Sequence, residues 1–314
     1  MAIQRILVTG GAGFIGSHTV DLLLRHGKQV VVLDNLSSGS IHHLDLRAPE
    51  LELIEGDVLE YPLLLTLIAS CDAVIHLAAI ASVPQSIADP IYTFQVNTQG
   101  FLHVLCAVQQ AKRKVRVVYA SSAAVYGEED SPPCRDDKPL RHPPLSPYAL
   151  QKLNNEQYAD VYARLHGVNS LGLRYFNVYG RGQDPASPYS GVISRFLDAY
   201  REDKPLTIFG DGQQSRDFIY VTDIAEANWL ALNSAYSGVL NVASGRPETL
   251  LNMIDCLEAA GQKPAIRQFE SERPGDIKRS YASTQLAEQS LGFKSTVSLL
   301  QGMKQLLESS GSAP

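Results

Sequence analysis

The sequence predicts a doubly wound α/β fold, in which a parallel sheet carries helices on both faces and a smaller α/β domain follows. Two observations predict it. Short runs of β-branched residues alternate with longer helical patterns, and a cluster of glycines directly follows the first run. Strands separated by crossover helices form right-handed units, which build a mainly parallel sheet.

Six β-branched runs predict the strands of this sheet, and the segments between them are long enough for crossover helices. The runs span residues 3–8, 29–33, 51–54, 73–77, 115–119 and 170–173.

The pattern changes after about residue 173, where stretches rich in Gly, Pro and Asp separate shorter elements. The stretch 216–240 then resumes a strand-helix-strand pattern. We therefore predict two interleaved domains. Residues 1–173 plus about 216–240 form the doubly wound domain, and about 174–215 plus 241–314 form the smaller one.

Composition and charge exclude several classes of protein. The 314 residues are 45% hydrophobic, which is enough to fill a core. A net charge of −6 and the absence of any basic run longer than 112–114 argue against a nucleic-acid partner. Four widely spaced cysteines fit neither a zinc site nor a disulfide framework, so we expect no metal and a cytoplasmic location. The chain has no secretory signal pattern and no apolar run near the roughly 20 residues that span a bilayer, so we expect no membrane partner.

A glycine-rich loop follows the first strand and opens a helix. It contains Gly10, Gly13 and Gly16, with Phe14 and Ile15 at the start of the helix. Such glycines allow a tight turn, a close approach to a pyrophosphate and helix–sheet packing, and the helix N-terminus favours the anion. The context predicts a Rossmann-type dinucleotide site, although glycines in this position can also simply form a turn.

Acidic residues end the next two strands. Asp34 lies 18 residues beyond Gly16, where a carboxylate binds a ribose 2′-hydroxyl and repels a 2′-phosphate. It therefore predicts NAD rather than NADP as the cofactor, unless it only caps the turn 34–39. Asp57 is a candidate contact for the adenine amino group, and it would equally suit a loop cap.

A Tyr148/Lys152 pair, four residues apart, shares one face of a predicted helix. A phenol with a pKa near 10 is a poor base, but an adjacent ammonium and a positively charged nicotinamide favour the phenolate. Tyr148 is thus a candidate proton acceptor, although this spacing also occurs by chance in many helices. The carboxyl ends of the strands should bring several residues to one crevice beside it. These are Gly10, Asp34, Asp57, Leu77, Ala78, Ala79 and Ser122.

These motifs resemble those of the extended short-chain dehydrogenases that act on nucleotide sugars, with their Gly-x-x-Gly-x-x-Gly loop and Ser, Tyr-x-x-x-Lys triad. The resemblance covers nearly the whole chain. It implies that Ser122 orients the sugar hydroxyl and that Tyr148 is the acid/base. It also implies that Lys152 holds the nicotinamide ribose and lowers the tyrosine pKa. The predicted NAD contacts are Gly10, Gly13, Phe14, Ile15, Gly16, Asp34, Asn35, Ser37, Gly39, Asp57, Val58, Leu77, Ala78, Ala79, Tyr148, Lys152 and Phe176.

The residues after Ser122 indicate which reaction the resemblance implies. Family members that dehydrate or decarboxylate the sugar place an acidic residue soon after this position, whereas here Ala123 and Ala124 follow. The remaining reaction is 4-epimerisation: oxidation at C4, turning of the 4-keto sugar, and return of the hydride to its other face, with NAD regenerated in place.

The second half of the chain resembles UDP-sugar 4-epimerases in the segments 173–180, 210–217 and 273–276. Arg216 and Arg273 would clamp the diphosphate, because guanidinium groups donate several charge-assisted hydrogen bonds to phosphate. Taken alone, either arginine would more simply form a surface ion pair. The resemblance further assigns Asn177 to the diphosphate, Val192, Thr207 and Phe209 to the uracil side, and Asp276 to the ribose or uridine.

Ser280 bears on the choice of sugar. The position four after Asp276 is a bulky tyrosine in epimerases restricted to non-acetylated hexoses, and small in those that accept a 2-N-acetyl group. A serine removes steric exclusion there. We therefore favour UDP-GlcNAc and UDP-GalNAc, with Ser82 near the sugar, and the chain most resembles bacterial UDP-N-acetylglucosamine 4-epimerases. Ala81 departs from the glycine of those relatives, and Ser280 does not exclude UDP-Glc and UDP-Gal.

Three alternatives stay open at this point. A 4-epimerase for plain UDP-glucose is the nearest. A UDP-uronic acid 4-epimerase would need a carboxylate-binding group, which we do not identify in the sequence. A regulatory scaffold that binds NAD or a nucleotide sugar should have lost a triad member, whereas all three are present. The resemblance also implies a homodimer through the helices near 90–111 and 147–166, although apolar helix faces equally suit packing within one chain.

Overall fold

A computed structural model of the protein describes residues 3–129, 131–183, 191–272 and 277–308. Its strands are β1 (Arg5–Thr9), β2 (Gln29–Asp34), β3 (Leu51–Glu55), β4 (Ala73–His76), β5 (Arg116–Ser122), β6 (Ser170–Tyr175), β7 (Asn177–Tyr179), β8 (Leu206–Phe209), β9 (Ser215–Tyr220), β10 (Gly238–Val242), β11 (Pro247–Thr249), β12 (Arg267–Glu270) and β13 (Arg279–Ser280). Its helices are α1 (Phe14–Arg25), α2 (Tyr61–Ala69), α3 (Val83–Ala88), α4 (Pro90–Phe94), α5 (Gly100–Gln110), α6 (Pro147–His166), α7 (Val192–Arg201), α8 (Val221–Asn233), α9 (Leu250–Gly261), α10 (Gln285–Leu291) and α11 (Leu299–Glu308).

A seven-stranded parallel sheet forms the centre of the molecule, in the order β10-β6-β5-β4-β1-β2-β3. Each of the six predicted strands corresponds to one of its members, with ends shifted by at most a few residues. The doubly wound α/β fold is therefore confirmed. The strand order reverses between β1 and β4, and such a switch point is where open α/β sheets bind ligands.

The alternation of side chains along β1 explains why both faces of the sheet are covered. Ile6 and Val8 point into a core with Val20 and Leu23 of α1. Leu7 points into a second core on the other face, with residues of α2 and α5. All of β1 beyond its first residue is buried, as expected for a strand with helices on both sides.

A third core lies under the second half of the chain. It packs β8 and β9 against α7, α9 and α11. Here β9 pairs with β7, β11 and β13, while β8 pairs with β12. Of the stretch 216–240, α8 packs against α1 and β10 joins β6 in the large sheet, but β9 belongs to the smaller sheet. The division into two domains stays a prediction. Within the described ranges, no helix combines the length and apolarity needed to cross a membrane.

Candidate active site

The glycine loop lies between β1 and α1, at the switch point of the sheet. Gly10 has a φ of +71°, and a Cβ there would lie 2.6 Å from the amide nitrogen of Ala78, in the segment that follows β4. A Cβ on Gly16 would collide with the Gly10 carbonyl oxygen and lie 2.7 Å from the Cα of Gly11. These two glycines are therefore required by the packing of the protein itself.

Gly13 is different, because the protein's own packing barely constrains it. A Cβ at Gly13 would meet only the Gly10 carbonyl oxygen, at 3.3 Å. Gly13 is the N-cap of α1 and offers no side chain to its first amides, which have no acceptor within the helix. Open space beside donating amides at a helix N-terminus fits a bound pyrophosphate.

Asp34 lies against this loop at the end of β2. One carboxylate oxygen accepts the Ala12 amide at 2.9 Å, and the other accepts the Leu36 amide at 2.9 Å. The side chain thus lies against the glycine loop and also caps the following turn. Asn35 donates to the Asp57 carboxylate at 2.8 Å, which joins two predicted adenosine-side residues.

The other predicted cofactor contacts fall into two groups. Ser37 and Gly39 lie in the turn after β2, which folds back so that the Ser40 amide donates to the Ala12 carbonyl oxygen at 3.0 Å. Leu77, Ala78 and Ala79 follow β4, and Phe14 and Ile15 begin α1, all of them beside the glycine loop. Val58 and Phe176 differ, because their side chains are buried in core clusters away from solvent.

The structure brings Ser122, Tyr148 and Lys152 together. Ser122 ends β5 and lies close enough to Tyr148, in the first turn of α6, to lower the pKa of its phenol. The Lys152 ammonium donates to the Ala120 carbonyl oxygen at 3.0 Å and lies 5.8 Å from the centre of the Tyr148 ring. Ser146 caps α6 by accepting the Ala149 amide at 3.2 Å, so the helix begins just where the tyrosine is needed.

Burial shifts the pKa values of both Tyr148 and Lys152. Burial raises the pKa of Tyr148, and the nearby Ser122 hydroxyl only partly offsets this rise. Burial also lowers the pKa of Lys152 to about 8. In the protein without cofactor, desolvation of the phenolate is thus the largest effect on the tyrosine pKa, and the lowering of that pKa by Lys152 stays a prediction.

A cavity of about 1070 Å³ lies between α3, α7 and the strands of the smaller sheet. The three triad residues do not line it, but α3, which does, packs against α6, the helix that carries Tyr148 and Lys152. Its lining includes five of the predicted substrate residues, namely Asn177, Val192, Thr207, Phe209 and Arg216. Residues that the sequence did not single out line it as well: Val83, Pro84, Gln183, Arg195 and Gln214. Short α3 brings Val83 and Pro84 there, and a six-residue helix has too little periodicity to be predicted.

Two predicted sugar-side serines lie beside the cavity lining. Ser280 pairs with Arg216 across β13 and β9, but it does not line the cavity. Ser82 is buried and caps α3 by accepting the Gln85 amide at 3.0 Å, next to the cavity-lining Val83. Arg273 and Asp276 lie outside the described residues.

A buried ion pair joins α6 to β6. Glu156 lies one turn after Lys152 and forms a bidentate pair with Arg174 of β6, at 2.7 and 2.8 Å. Ser121, the neighbour of Ser122, donates to the same carboxylate at 2.6 Å. This pair was not predicted, although the spacing of Lys152 and Glu156 places both on one helix face.

The arrangement of these residues at the carboxyl edge of a doubly wound sheet is that of a Rossmann-type, NAD-dependent enzyme. Comparison of the sequence with known protein families identifies the family within this class of enzymes. The chain belongs to the NAD dependent epimerase/dehydratase family, which it matches over residues 6–243.

Individual relatives align along almost their whole length. A protein from Methanocaldococcus jannaschii is 38% identical over 309 residues, which is 96% of this chain and 97% of the relative. A UDP-glucuronate 4-epimerase from Thermodesulfobacterium geofontis is 34% identical, over 95% of this chain and 93% of its own.

Two solved structures are similar in fold as well as sequence. UDP-N-acetylglucosamine 4-epimerase from Methanobrevibacter ruminantium, in complex with UDP-N-acetylmuramic acid, superposes with a TM-score of 0.91 at 37% identity, covering 98% of this chain and 100% of that one. The UDP-glucose 4-epimerase of Thermus thermophilus, in complex with NAD, gives a TM-score of 0.86 at 35% identity, with 97% and 98% covered.

Proposed function

We propose that this protein is an NAD-dependent 4-epimerase that interconverts UDP-GlcNAc and UDP-GalNAc through a 4-keto intermediate. The observation that carries the proposal is the clustering of Ser122, Tyr148 and Lys152 at the end of β5 and the start of α6. The neighbouring α3 lines a cavity large enough for a nucleotide sugar. The relatives support a UDP-sugar as the substrate class, since those with named activities are UDP-sugar 4-epimerases.

The chain's own residues handle the proton of the sugar 4-hydroxyl. Tyr148 takes this proton as C4 is oxidised and gives it back when C4 is reduced, while Ser122, close to the phenol, orients the hydroxyl. When bound, NAD would supply the redox chemistry, which is acceptance of a hydride from C4 followed by its return to the other face of the sugar. Lys152 provides a positive charge next to the phenolate and a donor for the cofactor ribose.

Ala123 and Ala124 favour epimerisation over dehydration. They form the turn directly after Ser122, beside the reacting hydroxyl. Methyl side chains neither donate nor accept protons, so neither alanine can remove or supply the additional proton that elimination of water requires.

The cavity suits the nucleotide half of the substrate. Arg216 provides a guanidinium for the diphosphate, and Asn177 lies beside it in the lining, where its amide donates to the Asp217 carbonyl oxygen at 3.2 Å. Val192, Thr207 and Phe209 form the side assigned to uracil, and Arg273 and Asp276 complete the proposed set.

Ser280 favours the N-acetylated sugars, because a small side chain at this position leaves room for a 2-acetamido group. The solved relative from Methanobrevibacter ruminantium, which carries an N-acetylated UDP-sugar, is consistent with this choice. The plain hexoses UDP-Glc and UDP-Gal are the second candidate, since the Thermus thermophilus relative is a UDP-glucose 4-epimerase.

The sugar preference is tested by incubating the purified protein, without added NAD, with UDP-GlcNAc and separately with UDP-Glc, and separating the products by anion exchange. We expect UDP-GalNAc to form. Ser280→Tyr should suppress this reaction while sparing UDP-Glc, and Ser280→Ala, which stays small, should retain both. Conversion of UDP-Glc alone by the unaltered protein would refute the preference, and equal losses on both substrates in Ser280→Tyr would refute gatekeeping by this residue.

The role of Tyr148 is tested with Tyr148→Phe, which removes only the hydroxyl. We expect turnover to fall by about 100-fold or more, the range for loss of a general acid/base, while binding of the UDP-sugar measured by calorimetry is kept. Near-normal turnover in this variant would remove Tyr148 as the acid/base.

We further propose that the protein is a homodimer. The outer face of α6 carries Leu150, Tyr158, Val161 and Leu165, which lie within one side of the helix and are 49%, 38%, 37% and 71% exposed. Ile91 on neighbouring α4 is 73% exposed. A contiguous apolar surface of this kind is typical of a face that packs against another subunit.

A further inference from the structure

The main chain of Tyr148 is held by a serine that lies 62 positions away in the sequence. The Tyr148 amide donates to Oγ of Ser86 at 3.0 Å. The Ser86 hydroxyl in turn donates to the carbonyl oxygen of Val83 at 2.7 Å. Ser86 is completely buried, so water does not compete for either bond. A single hydroxyl thus joins the proposed acid/base to a residue of the cavity wall.

The position of Tyr148 in α6 explains why such a partner is needed. The first amides of a helix have no acceptor within the helix. Pro147 has no amide, and Ser146 accepts that of Ala149. The Tyr148 amide lies between these two positions, and its acceptor is the hydroxyl of Ser86 on another element, α3. An unsatisfied amide in this buried place would cost free energy, which favours contact between the two helices.

Further buried polar groups join the two sides. Ser82 caps α3 and its carbonyl oxygen accepts the Ser86 amide at 3.0 Å, which fixes the short helix internally. The Gln151 side chain, one turn after Tyr148, donates to the hydroxyl of Thr93 on α4 at 3.0 Å. The segment that carries α3 and α4 is therefore bound to α6 at successive turns, and it cannot slide without breaking buried hydrogen bonds.

We propose that Ser86 is a positioning residue, which sets the distance between the cavity wall at Val83 and Pro84 and the phenol of Tyr148. Proton transfer requires the phenol within hydrogen-bond reach of the sugar 4-hydroxyl, so a small displacement of α6 affects the chemical step more than it affects nucleotide binding. This inference rests on the proposed role of Tyr148 in the epimerase.

The test compares Ser86→Ala with Ser298→Ala in the protein as purified. Ser298 accepts the Gln301 amide at the start of α11, so this control loses the same kind of hydrogen bond at another helix. For Ser86→Ala we expect kcat to fall by about 10-fold with the KM for the UDP-sugar changed by less than about 2-fold, and for Ser298→Ala neither to change. Ser86→Cys keeps the volume with a weaker hydrogen-bonding group and replaces Ser86→Ala if that variant does not fold.

Hydrogen exchange of the Tyr148 amide, followed by NMR, supplies a readout that does not depend on turnover. We expect exchange to become faster by about 10-fold or more in Ser86→Ala and to stay unchanged in Ser298→Ala. An unchanged kcat in an active Ser86→Ala variant would overturn the positioning role and leave the epimerase intact. An unaltered protein without epimerase activity would refute the proposed function. In that case, unchanged exchange of the Tyr148 amide in Ser86→Ala would separately refute the anchoring of Tyr148 by Ser86.

Discussion

At the scale of single residues, Gly13 and Gly16 differ in the reason for which a glycine is needed. The fold requires Gly16, whereas we expect the bound cofactor to require Gly13. A Cβ on Gly16 collides with the backbone of the loop, whereas one on Gly13 meets only a carbonyl oxygen at 3.3 Å. We expect Gly16→Ala to lower the melting temperature markedly. We expect Gly13→Ala to melt near the unaltered protein but to retain much less NAD, since its methyl group would occupy the space for the pyrophosphate.

The measurement is a thermal melt together with the nucleotide released from the denatured protein. Full NAD retention in Gly13→Ala would show that the pyrophosphate does not approach this residue. A large loss of stability in the same variant would mean that the loop itself needs a glycine there.

The pKa of Lys152 predicts how the free energy of unfolding depends on pH. Its folded pKa of about 8, against an ordinary value of 10.5, means that burial of the charged form costs about 3 kcal/mol. Below pH 8 the lysine is charged in both the folded and the unfolded protein, so the whole cost is present. Between pH 8 and 10.5 the folded protein releases its proton first, and the cost disappears as the pH rises.

Replacement of this lysine by a neutral side chain of similar length should therefore stabilise the nucleotide-free protein. We expect Lys152→Met to raise the free energy of unfolding by about 1–3 kcal/mol at pH 7, the lower values reflecting loss of the bond to Ala120. The gain should shrink at pH 10, and turnover should be lost. Urea unfolding at both pH values tests this, and an equal gain at both would mean that the charge of Lys152 is not its origin.

Some site residues were predictable because neighbours in the sequence define them. Tyr148 and Lys152 share a helix face by their spacing, and Asp34 follows from the length of one β-α-β unit. Ser86 and Glu156 were not predictable, because their roles depend on contacts between α3, α6 and β6 that only the tertiary structure defines. The effect of burial on the pKa of Tyr148 was not predictable either, because the degree of burial cannot be read from spacing.

At the scale of elements, the contact of α6 with β6 depends on the buried pair of Glu156 and Arg174, whose side chains are only 7% and 5% exposed. We expect Glu156→Gln to lower the free energy of unfolding by about 3 kcal/mol, because it leaves the guanidinium of Arg174 buried without a counter-charge. Asp160→Asn is the matched control on the same helix. Its pair with Arg164 is 65% and 69% exposed, so its stability should stay within the error of the measurement.

Chemical denaturation of the two variants gives the comparison. Equal, small losses would show that the buried pair contributes no more than a surface pair and that α6 is held by its apolar contacts instead.

Some helices and strands could be predicted from the sequence and others could not. The strands of the large sheet were recovered because β-branched residues run almost without interruption where both faces are buried, as in β1 and β2. Within 216–240, a strand pattern does not reveal which sheet a strand joins: β9 joins the smaller sheet and β10 the large one. Short α3 and α4, which carry part of the cavity wall, have no periodicity long enough to be recognised.

At the scale of the whole molecule, the apolar face of α6 makes the prediction of a dimer testable. We expect the unaltered protein to have twice the chain mass by light scattering, and Val161→Glu combined with Leu165→Glu to give monomers, since two charges cannot be buried at an apolar contact. Leu46→Glu, at a residue that is 50% exposed in the loop after β2, should leave the mass unchanged. A dimeric double variant would place the subunit contact elsewhere.

The fate of the C4 hydrogen tests the proposed epimerase chemistry most directly. UDP-GlcNAc labelled with deuterium at C4 is incubated with the protein in ordinary water, without added NAD, and the product is examined by NMR. We predict UDP-GalNAc that keeps the deuterium at C4, because the hydrogen is removed and returned within one closed site while Tyr148 exchanges only the hydroxyl proton. Loss of the deuterium to solvent, or no conversion of any UDP-sugar, would contradict a redox 4-epimerase.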